Sequence, residues 1–325
     1  MDSFIFAINA VTPLILMALV GYFLRRIGLI SEDMPRALNK LVFRVFLPCT
    51  LFLNVYRIES LGGFDFGYVA YSIVAVLIIY AAAIVPTLAV TRSSARRGVI
   101  QQAVFRSNFA LIGIPLATSI CGAEGAEVAA VLSAFAIPVF NVLAVITLSV
   151  FTGEGRVSIK RILLDILKNP LIVSVALGFV ALGIRAIFAG SGIEWRLADV
   201  APVFKVLESL SAVATPLALV TLGAQFKFSA IGGMRRELIF AVLARTVVVP
   251  SLVVATAYLL FDFEAAHFAS FVALFATPVA VSSVPMTQEM GGDVELAGQI
   301  VVWTTATSGF TIFLFTLVLK LLAVF

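Results

Sequence analysis

Long apolar runs separated by short polar segments make up most of the sequence. Ten of these runs are long enough to cross a bilayer, which takes about 20 mostly apolar residues at a rise of about 1.5 Å per residue. The ten predicted spans are 4–24, 37–55, 66–90, 98–122, 126–152, 169–189, 200–225, 237–261, 265–290 and 297–324. The pattern therefore predicts an all-α membrane protein with ten transmembrane helices.

Proline and glycine interrupt several of these predicted spans. The interruptions lie in spans two, four, seven and nine, at Pro48, at Gly113 and Pro115, at Pro216, and at Pro278 and Pro285. Proline has no N–H group and clashes with the preceding helical turn. In lipid the freed backbone groups must be satisfied inside the protein or by a water-filled cavity. Spans four and nine are therefore predicted to be broken helices.

The spacing of these residues indicates an internal duplication. Pro48 and Pro216 lie 168 residues apart, whereas Pro115 and Pro285, and also Gly122 and Gly292, lie 170 apart. Five spans would then map onto five, and because five is odd the second copy enters the membrane from the opposite face. The predicted units are a first five-helix repeat (1–152), a cytoplasmic linker (153–168) and a second, inverted repeat (169–325).

Composition and charge exclude several classes of protein. The chain is 62% hydrophobic and 12% charged, far from a soluble domain. Its net charge of +4 does not predict nucleic-acid binding, because the basic residues form short clusters between apolar runs. Fourteen Lys and Arg residues follow spans one, three, five and seven, and four lie on the opposite side. This bias places the fourteen in the cytoplasm, which puts both termini outside it in a multi-pass protein of the inner membrane.

Broken helices also predict where a ligand binds. A helix end inside the membrane exposes N–H groups with partial positive charge, which attract anions. The candidate substrate-binding residues are the polar, basic and proline residues on or facing these breaks: Arg106, Ser107, Asn108, Pro115, Asn141, Gln225, Pro278, Ser282, Ser283 and Pro285. Alternatives remain open: Asn108 could instead form hydrogen bonds with backbone groups that the break leaves unpaired, and Asn141 and Gln225 could form hydrogen bonds between helices.

Three arginines fall in the cytoplasmic half of predicted spans: Arg44, Arg106 and Arg245. Arg106 could attract an anion, although a side chain that reaches to the membrane surface explains it nearly as well. For Arg44 and Arg245 we favour the interpretation in which the side chain reaches to the membrane surface.

Missing motifs argue against other chemistry. No carboxylate lies centrally in a predicted span, which disfavours an exchanger that relies on buried acids. GxxxxGK[ST], HExxH and GxSxG are absent, so neither ATP hydrolysis nor another enzymatic activity is expected. Cys49 and Cys121 have no metal-ligand spacing. No metal site and no cofactor are predicted.

Five segments in order resemble the auxin efflux carrier family, which includes plant PIN auxin exporters and bacterial carriers assigned to malonate, malate and related acids. They are "TPLILMALVGYFLRRIGLISEDMPRALNKLVFRVFLPCTLF", "FRSNFALIGIPLATSICGAEG", "LKNPLIVSVALG", "ATPLALVTLGAQF" and "TPVAVSSVPMTQEMGGDVELAGQIVVWTTATSG". The resemblance covers essentially the whole chain. The longer proline spacing in "TPVAVSSVP" and the short linker are closer to bacterial members than to the plant proteins.

The resemblance implies a fold and a function. It implies two inverted five-helix repeats in which helices four and nine cross at their breaks, with the substrate at the crossing. Helices 1, 2, 6 and 7 would form a scaffold in a homodimer, and helices 3–5 and 8–10 would move against it like an elevator. Asn108 matches the asparagine that precedes Gly-Ile-Pro in the family.

The expected function is secondary transport of a small organic anion, with membrane lipid as the surroundings and no nucleic-acid partner. A sodium-coupled symporter of the bile-acid type and a membrane sensor that binds its ligand without moving it are the alternatives.

Overall fold

The computed structural model describes residues 2–58, 66–152 and 159–325, and helices make up the regular secondary structure of this part of the chain. Its α-helices are α1 (Asp2–Arg26), α2 (Met34–Leu41), α3 (Leu47–Tyr56), α4 (Phe66–Val90), α5 (Ser94–Phe105), α6 (Ile114–Thr152), α7 (Ile159–Lys168), α8 (Pro170–Gly190), α9 (Ala201–Gln225), α10 (Arg235–Leu243), α11 (Val249–Leu260), α12 (Ala265–Phe275), α13 (Ser283–Glu289) and α14 (Val294–Leu321). Three π turns, Val42–Phe46, Phe109–Gly113 and Ala244–Val248, and two 3-10 turns, Leu197–Asp199 and Phe228–Met234, complete the helical structure.

Within the described ranges, seven helical stretches are long and apolar enough to cross a membrane. They are Met34–Tyr56, Phe66–Val90, Phe109–Thr152, Pro170–Gly190, Ala201–Gln225, Phe228–Leu260 and Val294–Leu321. The protein is therefore a multi-pass membrane protein. The finer count of ten spans in two inverted repeats stays a prediction: the first predicted span is helical as α1 but is not one of the seven, and the ninth is divided between α12 and α13.

The longest stretch, Phe109–Thr152, contains a sharp bend at Cys121 and Gly122. Gly122 has φ 60° and ψ −140°, a conformation that an L side chain rarely adopts. The bend falls at the predicted boundary between spans four and five. A glycine is needed here for the chain to reverse.

The break in span four lies earlier than the prediction placed it. Helix α5 ends at Phe105, and helical structure resumes at Phe109, so the break lies at Arg106–Asn108 and not at Pro115. Pro115 follows a π turn, whose altered hydrogen-bond register accommodates a residue that has no N–H. Gly113 has a packing role, because a Cβ there would lie 2.8 Å from the Ala273 carbonyl oxygen.

The helices pack in two groups. In one group α1 packs on α9, and α3 packs on α8 and α9; in the other, α6 packs on α5 and α12, and α13 packs on α14. Helix α1 also contacts α14. The first group contains the predicted scaffold helices. The division into scaffold and transport helices, like the homodimer, stays a prediction.

Glycines bring the backbones of α1 and α9 together. A Cβ at Gly21 would lie 1.9 Å from the Val220 carbonyl oxygen, and one at Gly223 would lie 1.7 Å from that of Ala18. Small residues permit this approach, which stabilises helix pairs in lipid by close packing. The α1–α9 contact therefore tolerates no side chain at either glycine.

Part of the predicted linker can be described. Residues 153–158 lie outside the described residues, and Ile159–Lys168 forms α7, which packs against α6 and α8.

Candidate functional site

Two broken helices cross at their interruptions. Helix α5 stops at Phe105 and α12 stops at Phe275, and the chain becomes helical again at Phe109 and Ser283. Between these ends Ser107 and Val279 form an isolated antiparallel bridge, and the Asn108 N–H donates to the Pro278 carbonyl oxygen at 2.8 Å. The Val279 N–H donates to Thr304 Oγ1 at 3.3 Å. Backbone groups freed by one break are thus partly satisfied by the other, as a non-helical segment within a membrane requires.

A cavity of about 220 Å³ lies beside this crossing, between the breaks and helices α3 and α9. Its lining residues are Leu47, Thr50, Leu51, Asn54, Arg106, Ser107, Asn108, Ala110, Leu111, Ile137, Phe140, Asn141, Ala214, Thr215, Ala218, Ala280, Val281 and Ser282. Most of the lining residues are apolar, and the polar ones lie at the breaks and on α3, α6 and α9. This is the usual composition of a small-molecule site.

Arg106 provides the charge in this cavity. Its side chain is held by Asn141 Oδ1, Ser282 Oγ and Met286 Sδ, each at 2.9 Å. Only 3% of the residue is exposed, so the alternative in which it reaches to the membrane surface is wrong. No carboxylate pairs with it among the residues that the structure describes. A buried cation without a counter-ion is costly unless an anion joins it.

Two further polar groups at the crossing lack partners. Ser107 Oγ and Asn108 Nδ2 make no hydrogen bond within the described structure. The two residues are only 5% and 9% exposed, so water does not readily replace the missing partners. The first turn beyond Asn108 also has N–H groups without intrahelical acceptors. Because leaving a buried donor unpaired costs about 1–3 kcal/mol, these groups favour a ligand that accepts hydrogen bonds.

The structure brings together five of the ten predicted site residues: Arg106, Ser107, Asn108, Asn141 and Ser282 line the cavity. Pro278 lies outside the lining and contributes its carbonyl oxygen to the crossing. Ser283 and Pro285 are buried within α13, and Pro115 is exposed on α6; none of the three lines the cavity.

Gln225 lies in a different cluster. It is the last residue of α9, and its Oε1 accepts from Asn39 Nδ2 at 3.3 Å, which also donates to Gln288 Oε1 at 2.9 Å. Nearby, Arg44 pairs with Glu289 at 3.2 Å. The assignment of Gln225 to the crossing was wrong. The alternative, a hydrogen bond between helices, describes its position.

Three polar residues of the cavity lining were not among the predicted ones: Thr50, Asn54 and Thr215. Thr50 follows Pro48 by two residues and Thr215 directly precedes Pro216. The paired prolines that indicated the duplication could have led to both. Asn54 carries no such signal.

Arg245 lies on the other side of the crossing. It is fully buried and donates to carbonyl oxygens at the ends of both α5 and α12. The expectation that it reaches to the membrane surface was wrong, because the side chain lies between the two broken helices and donates to their carbonyl groups.

Comparison with known proteins identifies the family of the chain. The profile of the family described as "Membrane transport protein" matches residues 6–316. An uncharacterized transporter of Methanothermobacter thermautotrophicus is 24% identical over 96% of this chain and 98% of its own length. The uncharacterized transporter YfdV of Escherichia coli K12 is 44% identical over 52 residues, which are 16% of this chain and 17% of that protein. The chain belongs to the membrane transport protein family, to which the auxin efflux carriers belong.

Proposed function

We propose that the protein is a secondary transporter of a small organic anion that binds at the crossing of the two broken helices. The observation that carries the proposal is the buried group of donors at Arg106, Ser107 and Asn108. This group has a permanent positive charge, two side-chain atoms without partners and an adjoining cavity. A carboxylate would supply both the missing charge and the missing acceptors.

The charge at the site favours an anion over a neutral or cationic substrate. Arg106 contributes about one positive charge, and the start of the helical segment at Phe109 adds a partial positive charge of about one half. Electrostatic attraction is strong where water is excluded. A guanidinium has five N–H donors, and three of those of Arg106 are engaged by Asn141, Ser282 and Met286, so two remain for a carboxylate.

The size of the cavity favours a small substrate. Its volume of about 220 Å³ is below the roughly 300–1,000 Å³ of sites for drug-sized ligands. Malonate and malate suit this volume better than indole-3-acetate. The apolar residues Leu51, Ile137 and Phe140 also line it.

The position of the cavity suits elevator-type alternating access. One wall belongs to α3 and α9, in the predicted scaffold, and the opposite wall belongs to the crossing. Movement of the crossing along a fixed α3–α9 surface would carry the bound anion from one side of the membrane to the other. The proposal includes the ten-span, inverted-repeat arrangement, an inner-membrane location and termini outside the cytoplasm.

Counterflow in proteoliposomes tests this function. Purified protein would be reconstituted, and uptake of labelled malonate, malate and indole-3-acetate would be measured against unlabelled internal substrate, with sodium or choline as the cation. We expect counterflow of a dicarboxylate in choline. Arg106→Met serves as the inactive control in liposomes that contain equal folded protein.

Each other outcome has a defined meaning. Flux that requires sodium would indicate the bile-acid-type symporter. Saturable binding without counterflow would indicate a sensor. If none of the three acids moves or binds, the proposed substrate class is wrong.

A further inference from the structure

The buried arginine on the far side of the crossing occupies a position that resembles a cation site. Arg245 Nε donates to the Thr277 carbonyl oxygen at 2.9 Å, and Nη2 donates to that of Leu274 at 2.8 Å. Nη1 lies 3.4 Å from the carbonyl oxygens of both Val104 and Phe105. One guanidinium therefore contacts four backbone carbonyls from two different broken helices.

These carbonyls are the kind of ligand that binds small hard cations. They lie at or just beyond the C-terminal ends of α5 and α12, where carbonyl groups have no intrahelical donor. Carbonyls at half-helix ends inside a membrane coordinate sodium in several transporters. Here the guanidinium takes that place.

The charges at this position balance. Each C-terminal helix end carries a partial negative charge of about one half, so the two ends together offset about one positive charge. Arg245 supplies that charge and has no carboxylate partner in the described part of the chain. A sodium ion bound beside it would meet a like charge and carbonyls that are already engaged.

We propose that Arg245 is a tethered cation: it fills a carbonyl-lined cation site at the helix crossing, so the crossing holds its shape and binds substrate without a coupling sodium ion. This inference deepens the proposed function and, for its transport measurement, rests on it. Its stability measurement does not involve the substrate. The two proposals can therefore fail separately.

Arg245→Ala tests the site by chemical rescue. Removing the side chain leaves four carbonyls facing a space that a free guanidinium ion can enter. We expect the purified variant to melt at a lower temperature than the wild-type protein. Its melting temperature should then rise with roughly 5–50 mM methylguanidinium, concentrations at which a ligand with a millimolar Kd would occupy the site. The wild-type protein should show no such rise. Arg44→Ala is the matched control, because Arg44 also lies in a π turn before a proline but its side chain is 61% exposed.

The outcomes separate a tethered cation from a residue that only packs. The proposal would be supported if methylguanidinium restored both the melting temperature and substrate counterflow in Arg245→Ala, and had no such effect on Arg44→Ala. A melting temperature in Arg245→Ala that does not respond to methylguanidinium, with the protein folded, would overturn it. Wild-type counterflow or substrate binding that requires sodium would also overturn it.

A second pair of variants covers the case in which Arg245→Ala does not fold. Arg245→Lys keeps the charge with a simpler donor, whereas Arg245→Gln keeps donors without charge. A tethered cation predicts a higher melting temperature for the lysine variant than for the glutamine variant. The reverse order would show that hydrogen bonding without charge is sufficient, and would overturn the proposal.

Discussion

Arg106 and Arg245 lie on opposite sides of the same helix crossing, and both are almost completely buried. Arg245 faces the C-terminal ends of α5 and α12, and its donors are engaged by backbone carbonyls. Arg106 faces a cavity, is held by three neutral side chains, and lies beside buried polar atoms without partners.

The difference shows how one residue type takes two roles. A C-terminal helix end attracts a cation and neutralises it, whereas an N-terminal end adds to the positive charge. The charge of Arg245 is therefore neutralised by the two helix ends, whereas the charge of Arg106 has no neutralising partner. Stability should depend on the first side and substrate binding on the second.

The largest expected effect is on stability at Arg245. Arg245→Met removes two short charge-assisted hydrogen bonds, each worth about 1.5–3 kcal/mol, so we expect a loss of about 3–6 kcal/mol. Thermal unfolding of the purified protein measures it. Arg44→Met is the control, because its exposed pair with Glu289 is worth only about 0–1 kcal/mol. Equal melting temperatures for the two variants would contradict the comparison.

Arg106→Met should have the next largest effect, and on affinity. Loss of a charged donor worth about 1.5–3 kcal/mol corresponds to a roughly 10- to 150-fold weaker Kd for the transported anion. Calorimetric titration of purified protein measures it. The melting temperature should fall less than in Arg245→Met, because the hydrogen bonds lost from Arg106 are offset by removal of a buried cation that no carboxylate or helix C-terminus neutralises. A large fall in melting temperature with unchanged Kd would give Arg106 the role assigned to Arg245.

Asn108→Ala should weaken binding by a smaller amount. A neutral hydrogen bond contributes about 0.5–1.5 kcal/mol, which corresponds to roughly a 2- to 10-fold change in Kd. Ser283→Ala is the matched control, because Ser283 Oγ is also buried without a partner but does not line the cavity. Equal losses in both variants would mean that the unpaired atoms matter for packing and not for binding.

The smallest effect is expected from pH. The residues that line the cavity include no Asp, Glu or His. For an anion that stays fully ionised, we expect its Kd to be unchanged between about pH 6 and pH 8, where an unperturbed histidine would titrate. Binding measured across this range would reveal any group that gains or loses a proton. A clear pH dependence would place a titrating residue within reach of the substrate.

Much of the fold followed from the hydrophobic pattern. The apolar runs predicted an all-α membrane protein, and the predicted end of span four at residue 122 coincides with the bend at Gly122. The predicted position of the break in span four was wrong. In the sequence, Pro115 is the residue that suggests a break, whereas the helix is interrupted at Arg106–Asn108. No local rule identifies those three residues as non-helical: the break is stabilised by pairing with Pro278 and Val279, which are far away in sequence.

The candidate site was only partly predictable for the same reason. Arg106, Ser107 and Asn108 were found because they precede the Gly-Ile-Pro segment. Gln225 was misplaced because a polar residue in a helix does not reveal which neighbour it faces. Arg245 was misjudged because its partners are backbone carbonyls, which sequence patterns do not show.

The crossing itself depends on backbone atoms: the Ser107–Val279 bridge and the hydrogen bond from the Asn108 N–H to the Pro278 carbonyl oxygen. Ser282 Oγ also accepts a hydrogen bond from Arg106 across the crossing, whereas Ser107 Oγ and Asn108 Nδ2 make none in the described structure. Substitutions at Ser107 and Asn108 can change which anion is recognised while the frame is preserved. The architecture thus separates the side chains that face the ligand from the backbone frame that holds them, and makes the crossing a suitable starting point for engineering new transport specificity.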